Sequence, residues 1–260
     1  MSTSALSLGR KEFVFIAALM NEAVVIGVED PFVGCLAEQV LEEWEKVSPA
    51  MIQQGYIHIN DVGVYEVKPE LKDIILSCCQ PIVWVSVTKS DSEKESTTQV
   101  LNFSGEGNCV VEISSTLEEG IIEVRSKSYQ GDKATKILEF IGLRSSNESE
   151  GIHFTMSDKV YASLKMDNAL LDEDNKNVTD EIRLFGEVVR TASIRMLVNI
   201  GAMSSGDIAL RSFGVLQGDD RNWSVEYLNE QNSKMILVTD CGESYLSKKV
   251  NQILEELKVD

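Results

Sequence analysis

The sequence predicts an α+β protein whose antiparallel sheet consists of two quasi-repeated, strand-rich halves flanked by helices, with a winged-helix-like N-terminal segment. Apolar positions of the first half recur in the second at a constant spacing, as in 225 − 111 = 114 for Val111 and Val225. Polar turns of hairpin size separate the alternating apolar segments, and such turns are too short for parallel crossovers. The same spacing continues through a helix and several strands, which is typical of an internal repeat. The matched pairs include Leu71/Phe185, Ile74/Val188, Ile75/Val189, Ile82/Met196, Ile121/Met235 and Val124/Val238.

The first third of the chain begins with helical patterns. Gly9 precedes an amphipathic helix, and Asp30-Pro31 then breaks the chain. A second helix is predicted over about 34–47, and Ser48-Pro49 predicts the start of a short third helix that ends at Gly55. The apolar residues expected to face inward on the second helix are Leu36, Val40, Leu41 and Trp44.

Two short alternating segments follow, at 56–59 and 64–67, and they predict a two-stranded ribbon with a turn at Asn60-Asp61. Helices followed by a ribbon are the element order of a winged helix. Residues 34–67 are therefore either a DNA reader or the same small module used for protein contact or packing. The second helix carries Glu42, Glu43 and Glu45 against a lone Lys46, so phosphate contact would be repelled and we expect no DNA binding.

The strands of the first half follow a helix that begins at Pro69, a residue suited to the first helical turn, and continues to Cys79. The turn between the second and third strands is Ser104–Asn108. A closing amphipathic helix carries Ile137, Leu138 and Ile141. The predicted strands are 82–87, 99–103, 110–113 and 121–124.

A polar stretch at 145–151 predicts a linker, which gives domains at 1–144 and 145–260. A strand at 152–155 and a helix at 157–171 come next. The acidic run 172–177 does not fit a calcium-binding loop, because its fifth and sixth positions are Lys176 and Asn177 where oxygen ligands and a glycine turn are needed. A helix capped by Thr179 then opens the second set of strands, in which the turn Gly218–Asn222 aligns without a gap on the turn of the first half.

Composition narrows the classes of partner. Hydrophobic residues make up 43% of the chain, which is an ordinary fraction for a globular protein. The formal net charge is −18, so the surface is strongly acidic. Nucleic acid and anionic membrane are therefore unexpected partners, whereas a protein partner is compatible with this charge. The sequence has no run long enough for a transmembrane helix, and amphipathicity explains the apolar run 13–20, so a cytoplasmic location is expected.

The residues that usually carry chemistry are sparse. The two histidines, His58 and His153, stand apart, and there is no Cys-x-x-Cys, so no metal site or cofactor is expected. The chain lacks a phosphate-binding glycine loop, a dinucleotide-binding fingerprint and a nucleophile elbow, which favours a protein that is not an enzyme. The cysteines lie among apolar neighbours and are expected to be buried and reduced; they are Cys35, Cys78, Cys79, Cys109 and Cys241.

The layout resembles the EspG-type chaperones of ESX (type VII) secretion systems. The likeness lies in the element order and the internal repeat: a winged-helix-like start, then antiparallel strands in two quasi-equivalent halves, each closed by a helix. It implies a cytosolic, non-enzymatic chaperone or adaptor that binds a helical secretion substrate with its sheet face and loops. The alternative is a winged-helix transcriptional regulator with an α+β sensory domain.

The two matched turns are the candidate partner-binding sites. They carry Glu106 in the first half and Gly218, Asp219 and Asp220 in the second, with Trp223 directly behind. The second turn is favoured as a contact because it has two acids and an aromatic residue beside it. The alternative is that both are solvated hairpin turns.

Overall fold

The computed structural model of the chain describes residues 4–91, 94–104, 109–115, 120–143, 151–165, 179–204, 207–218, 220–230 and 233–257. The helices within these ranges are α1 Arg10–Leu19, α2 Ala37–Gln53, α3 Pro69–Cys79, α4 Lys133–Ile141, α5 Asp158–Lys165, α6 Asp180–Thr191 and α7 Glu243–Glu256. The strands are β1 Ser4–Gly9, β2 Ile57–Ile59, β3 Tyr65–Val67, β4 Val83–Asp91, β5 Lys94–Phe103, β6 Cys109–Ser115, β7 Ile121–Ser128, β8 His153–Ser157, β9 Ile194–Ser204, β10 Asp207–Gln217, β11 Asn222–Glu230 and β12 Ser233–Asp240.

Ten of these strands form one hydrogen-bonded order, β1-β7-β6-β5-β4-β9-β10-β11-β12-β8, and β2 and β3 form a separate ribbon. The described pairings are antiparallel, so the predicted α+β class with a large antiparallel sheet is confirmed. The strand order is symmetric about the central strands β4 and β9. On one side β5, β6 and β7 follow β4, and β1 lies at the edge. On the other side β10, β11 and β12 follow β9, and β8 lies at the edge. Val111 and Val225 lie in the third strand of their meanders, β6 and β11. That the two halves arose by duplication stays a prediction.

The pairing register corrects the alignment of the two halves. The partners of Val225 are 114 positions after the partners of Ile113, although 225 − 113 = 112. The true counterpart of Val225 is therefore Ile113, and Val111 is two residues out of register. The pairs that establish this are Val225 with Gly214 and Val238, and Ile113 with Val100 and Val124.

The cause of this shift is the length of the β5–β6 connection. Phe103 pairs with Val110 in the first half, whereas Gln217 pairs with Asn222 in the second. The intervals are 110 − 103 = 7 and 222 − 217 = 5, so the first connection is two residues longer. The predicted alignment of the two turns without a gap is wrong. The next connection compensates, which is why the spacing of 114 returns at Val124 and Val238.

Strand β1 was not predicted, and it changes the position of the winged-helix-like elements. Residues 4–9 pair with β7, and α1 follows immediately, as α5 follows β8 in the second half. The helix α2 and the ribbon β2–β3 are therefore inserted between α1 and α3. They are part of the first half rather than a module in front of it.

Helix α2 also differs from its prediction. It runs without interruption through Pro49, so the predicted third helix from Ser48 does not exist. Met51 is fully buried near its C-terminal end, and this burial offsets the one backbone hydrogen bond that a proline removes. Leu36 and Leu41 are 64% and 57% exposed, contrary to expectation. The helix instead contacts the fold through Trp44, whose ring lies 5.3 Å from that of Phe15 and 5.0 Å from that of Tyr65.

The chain divides by contacts into two compact units. The first comprises residues 1–86, 97–130 and 201–209. In it α1 and α3 pack on one sheet face, and the cluster includes Phe13, Ile16, Ile75, Val100, Ile113, Ile122 and Val124. A close approach marks β9 in this unit, since a Cβ built on Gly201 would lie 2.1 Å from the Trp84 ring. These units differ from the sequence halves 1–144 and 145–260, and that division stays a prediction.

The second unit comprises residues 87–96, 131–200 and 210–260. Helices α5 and α6 cover one sheet face, and the cluster includes Met156, Tyr161, Phe185, Val189, Trp223, Val225 and Val238. Helix α7 lies on the opposite face, because its Lys249 pairs with Glu226, the neighbour of Val225 on β11. The second half of the predicted helix 157–171, the acidic run 172–177 and most of the predicted linker lie outside the described residues. In the described parts, no helix combines the length and apolarity that a membrane crossing needs.

Substitution of Gly201 by alanine should destabilise the protein. The new methyl group would lie on the buried Trp84 ring, so one of them must move, at a cost of about 1–3 kcal/mol. The matched control is Gly214→Ala, whose Cβ would find its nearest neighbours at 3.6 Å, an ordinary contact. Urea unfolding of both variants measures the difference. Equal stability of the two variants would contradict the close packing at Gly201.

Candidate partner-binding surface

The turn between β10 and β11 contains the predicted contact residues. The backbone N–H of Gly218 donates to the carbonyl of Arg221 at 2.9 Å, which closes a tight turn. Asp220 is exposed at its tip. Glu106 of the first-half turn and Asp219 lie outside the described residues. The structure thus presents one of the three predicted acids to solvent.

An ion pair fixes this turn to the strands behind it. The Arg221 guanidinium Nη1 lies 3.3 Å from Oδ2 of Asp240, whose side chain is only 3% exposed. The backbone N–H of Cys241 donates to the carbonyl of Asn222 at 2.8 Å. A buried carboxylate that loses its cation is costly, so this pair holds the turn in one conformation.

Trp223 does not belong to the exposed surface. Its side chain is fully buried, and its ring lies 5.4 Å from Phe185 and 6.1 Å from Phe154. The prediction that it takes part in a contact is therefore corrected: a strand residue points to one face only, and here that face is covered by α5 and α6. Trp223 supports the turn from the core.

An apolar surface that the sequence did not predict lies on the sheet of the second unit. The Ser212 hydroxyl donates to Oδ1 of Asn199 at 2.7 Å, which places these residues of β10 and β9 on the same face. Leu197 and Leu210, two positions from them, share that face, and each is 48% exposed. Tyr227 of β11, two positions beyond the Val225 that pairs with Gly214, is 64% exposed. We call Leu197, Leu210 and Tyr227 the exposed strip.

A depression of about 320 Å³ lies beside the exposed strip. Gly214 forms part of its floor, and we call it the Gly214 groove. The other described residues that line it come from β4, β5, α5, α6, β9, β10 and β11: Thr88, Ser90, Ser96, Tyr161, Lys165, Val189, Arg195, Met196, Leu197, Ser212, Phe213, Leu216, Val225 and Tyr227.

Two cations stand at this groove. Arg195 donates through Nη2 to the backbone carbonyl of Val189 at 2.8 Å, near the C-terminus of α6. The Lys165 ammonium lies 4.5 Å from the centre of the Tyr161 ring. Burial raises the pKa of Tyr161, and the neighbouring Tyr227 adds to the rise, so the phenol is neutral at physiological pH.

A second group of exposed apolar side chains lies in the first unit, on and around α2 and the ribbon. Its members are Val33, Leu36, Leu41, Ile59, Val62 and Val64. Several stand in turns, and the acids of α2 lie among them. Glu43 on this helix accepts hydrogen bonds from Lys11 and Lys46, which lower its pKa to about 2.

The two histidines form local structural contacts. His58 lies 3.5 Å from Glu66 across the ribbon, and His153 contacts the carbonyl of Gly151. Among the side chains that the structure describes, no three of His, Cys, Asp and Glu gather as metal ligands. Cys78, Cys79 and Cys241 are buried, whereas Cys35 is exposed, contrary to expectation.

The sequence carried little signal for the exposed strip. One alternating set of positions in β9 is apolar, with Met196 and Val198 buried. The other set contains Arg195 and Asn199 beside Leu197, which is exposed. Leu197 is thus one apolar residue on a partly polar strand face, and only the folded sheet places Leu210 and Tyr227 on the same face.

Comparison with known proteins gives a structural match alone. No family model and no curated protein sequence matches the chain. Among solved structures, it is similar to the type VII secretion system chaperone EspG5 of Mycobacterium tuberculosis, determined in complex with the PE25-PPE41 dimer. The TM-score is 0.64 at 11% sequence identity, and the match covers 97% of this chain and 96% of that one. The likeness shows that the two chains share a fold.

The thiols should differ sharply in reactivity in the folded protein. Burial raises the pKa of Cys79 and of Cys241 to about 12, so both are protonated at pH 8 and react slowly with iodoacetamide, while the exposed Cys35 reacts first. Mass spectrometry of timed alkylation measures this order. Alkylation after denaturation should count five free thiols, and a stable disulfide would contradict the reduced state.

Proposed function

We propose that the chain is a non-enzymatic chaperone or adaptor that binds a helical secreted protein of a type VII secretion system in the cytoplasm. The observation that carries the proposal is the exposed strip, an apolar sheet face left open in a fold shared with a secretion chaperone. Soluble proteins bury most of their apolar side chains, so a group of exposed ones on a single sheet face marks an interaction site. In the similar structure the chaperone stands in complex with a PE25-PPE41 dimer, which supports a protein partner here.

The strip and the turn offer complementary contacts. An amphipathic helix of the partner would cover Leu197, Leu210 and Tyr227 with its apolar face, the arrangement used when a helix docks on an apolar surface. The turn at Gly218–Asn222 would contribute Asp219 and Asp220 at the rim, where charges select the partner and its orientation more than they add affinity. Covering the partner's apolar face before export would keep it from aggregating.

The regulator alternative receives less support from the surface of α2. The cations Lys11 and Lys46 both hydrogen-bond Glu43, at 2.5 Å and 2.8 Å, instead of standing free for phosphate. Glu42 and Glu45 add negative charge on the same helix. Together with the net charge of −18, this arrangement opposes nucleic acid binding.

The exposed strip should be required for capture of the partner. The tagged chain is expressed in its native host, the co-purifying protein is identified, and the pair is reconstituted by co-expression. Leu210→Asp should lower the affinity at least about tenfold, because it places a charge in an apolar contact. The matched control is Val62→Asp on the ribbon, where the apolar side chain is 80% exposed. Normal capture by the Leu210→Asp protein, or loss with the control instead, would refute this surface.

The acids of the turn should have a smaller effect. Replacing Asp219 and Asp220 together with alanine should weaken capture about three- to tenfold, mainly through slower association, because rim charges steer the encounter. The control removes two exposed acids elsewhere, with Asp61→Ala and Glu70→Ala. Surface plasmon resonance at two salt concentrations, beside thermal unfolding, separates binding from stability. Unchanged capture at equal stability would leave these acids as solvated surface.

A further inference from the structure

The Gly214 groove has room for a side chain from outside the molecule. A Cβ built on Gly214 would have its nearest neighbours in Val225 and the backbone of Met196, at 3.6 Å and 3.7 Å, so the floor is not tightly filled. Leu197 and Val225 provide apolar walls, and Tyr227 stands exposed at the edge. The groove is therefore an apolar recess that opens on the exposed strip.

Its charge is opposite to that of the chain as a whole. Arg195 and Lys165 line the groove, and none of its described lining residues is Asp or Glu, although the net charge is −18. The guanidinium of Arg195 is oriented by the hydrogen bond from its Nη2 to the carbonyl of Val189. A guanidinium has five N–H donors, so further donors can face a ligand. A planar guanidinium with free donors is suited to a carboxylate.

We propose that the Gly214 groove binds a peptide segment of the protein partner in which an acidic side chain adjoins an aromatic or aliphatic one. The apolar side chain lies over Gly214 against Leu197 and Val225, and the carboxylate pairs with Arg195 and Lys165. The proposal rests on the proposed function only in that the occupant is a polypeptide. A polyanion such as nucleic acid fits less well, since the acidic turn at 219–220 belongs to the same contact unit.

Methyl NMR of the whole chain tests the groove directly. Val225 lines the groove on the same face as Gly214 and is 5% exposed, so its labelled methyl groups report an occupant, and Val225→Ile assigns the signals. The probes are two capped peptides, acetyl-Gly-Phe-Asp-Gly-amide and its Asn analogue. The Asp peptide should shift the Val225 methyl signals saturably, and the Asn peptide should bind about tenfold more weakly, because it loses the charge-assisted hydrogen bonds.

Substitutions at Lys165 and Gly214, with one control on α5, identify the groups that bind. Lys165→Gln should weaken the Asp peptide about threefold, as expected for a solvent-exposed pair, while Lys159→Gln on the same helix should have no effect. Gly214→Val should abolish the shift by filling the floor, and Gly214→Ala should reduce it. Circular dichroism and thermal unfolding of each variant show that the fold is retained.

The outcomes separate this proposal from the proposed function. Absence of a shift of the Val225 methyl signals, or equal affinity for the Asp and Asn peptides, overturns the groove proposal even if the partner is captured normally through the exposed strip. Peptide binding as expected, together with no captured partner of the secretion class, upholds the groove and refutes the chaperone assignment.

Discussion

Every surface described above depends on the hydrogen-bonded register of the strands. Side chains alternate between the two faces of a sheet, so a shift of one residue would exchange the buried and open sets. In β11 the register buries Trp223 and Val225 beneath α5 and α6 and directs Glu226 toward Lys249 of α7. Tyr227, beyond the end of this cover, becomes exposed on the same face as Val225. The core and the candidate surface are thus two parts of one strand face.

The same register explains what could and could not be predicted from the sequence. Apolar spacing was sufficient for the element order and the antiparallel class, because hydrophobic periodicity and short turns constrain both. Apolar spacing could not reveal that the β5–β6 connection is two residues longer than the β10–β11 connection, or that the following connection restores the spacing. Val111 and Ile113 are both apolar, so either one suits the position that matches Val225. Pro49 and the strand at 4–9 were missed because tertiary burial outweighs local preference, and the sequence does not display burial.

The candidate site was predictable only in part. The turn at 218–222 follows from its polar residues, but its fixed conformation depends on Asp240, a residue of another strand that the turn sequence cannot identify. The Gly214 groove needs side chains from α5 and β9 to meet above a glycine of β10, which only the folded chain brings together. The fold shared with EspG5 at 11% sequence identity does not predict the site either. Two chains with the same backbone arrangement can carry different side chains at the same place.

The insertion of α2 and the ribbon has a practical consequence for engineering. Between α1 and α3 the first half carries 68 − 19 = 49 residues, whereas between α5 and α6 the second half carries 179 − 165 = 14. The topology therefore accommodates a long insertion between these two helices without disrupting the sheet that they pack against. A fluorescent reporter spliced between α5 and α6 would exploit the same tolerance, close in sequence to Lys165. It would provide an optical sensor whose signal responds to occupancy of the neighbouring surface.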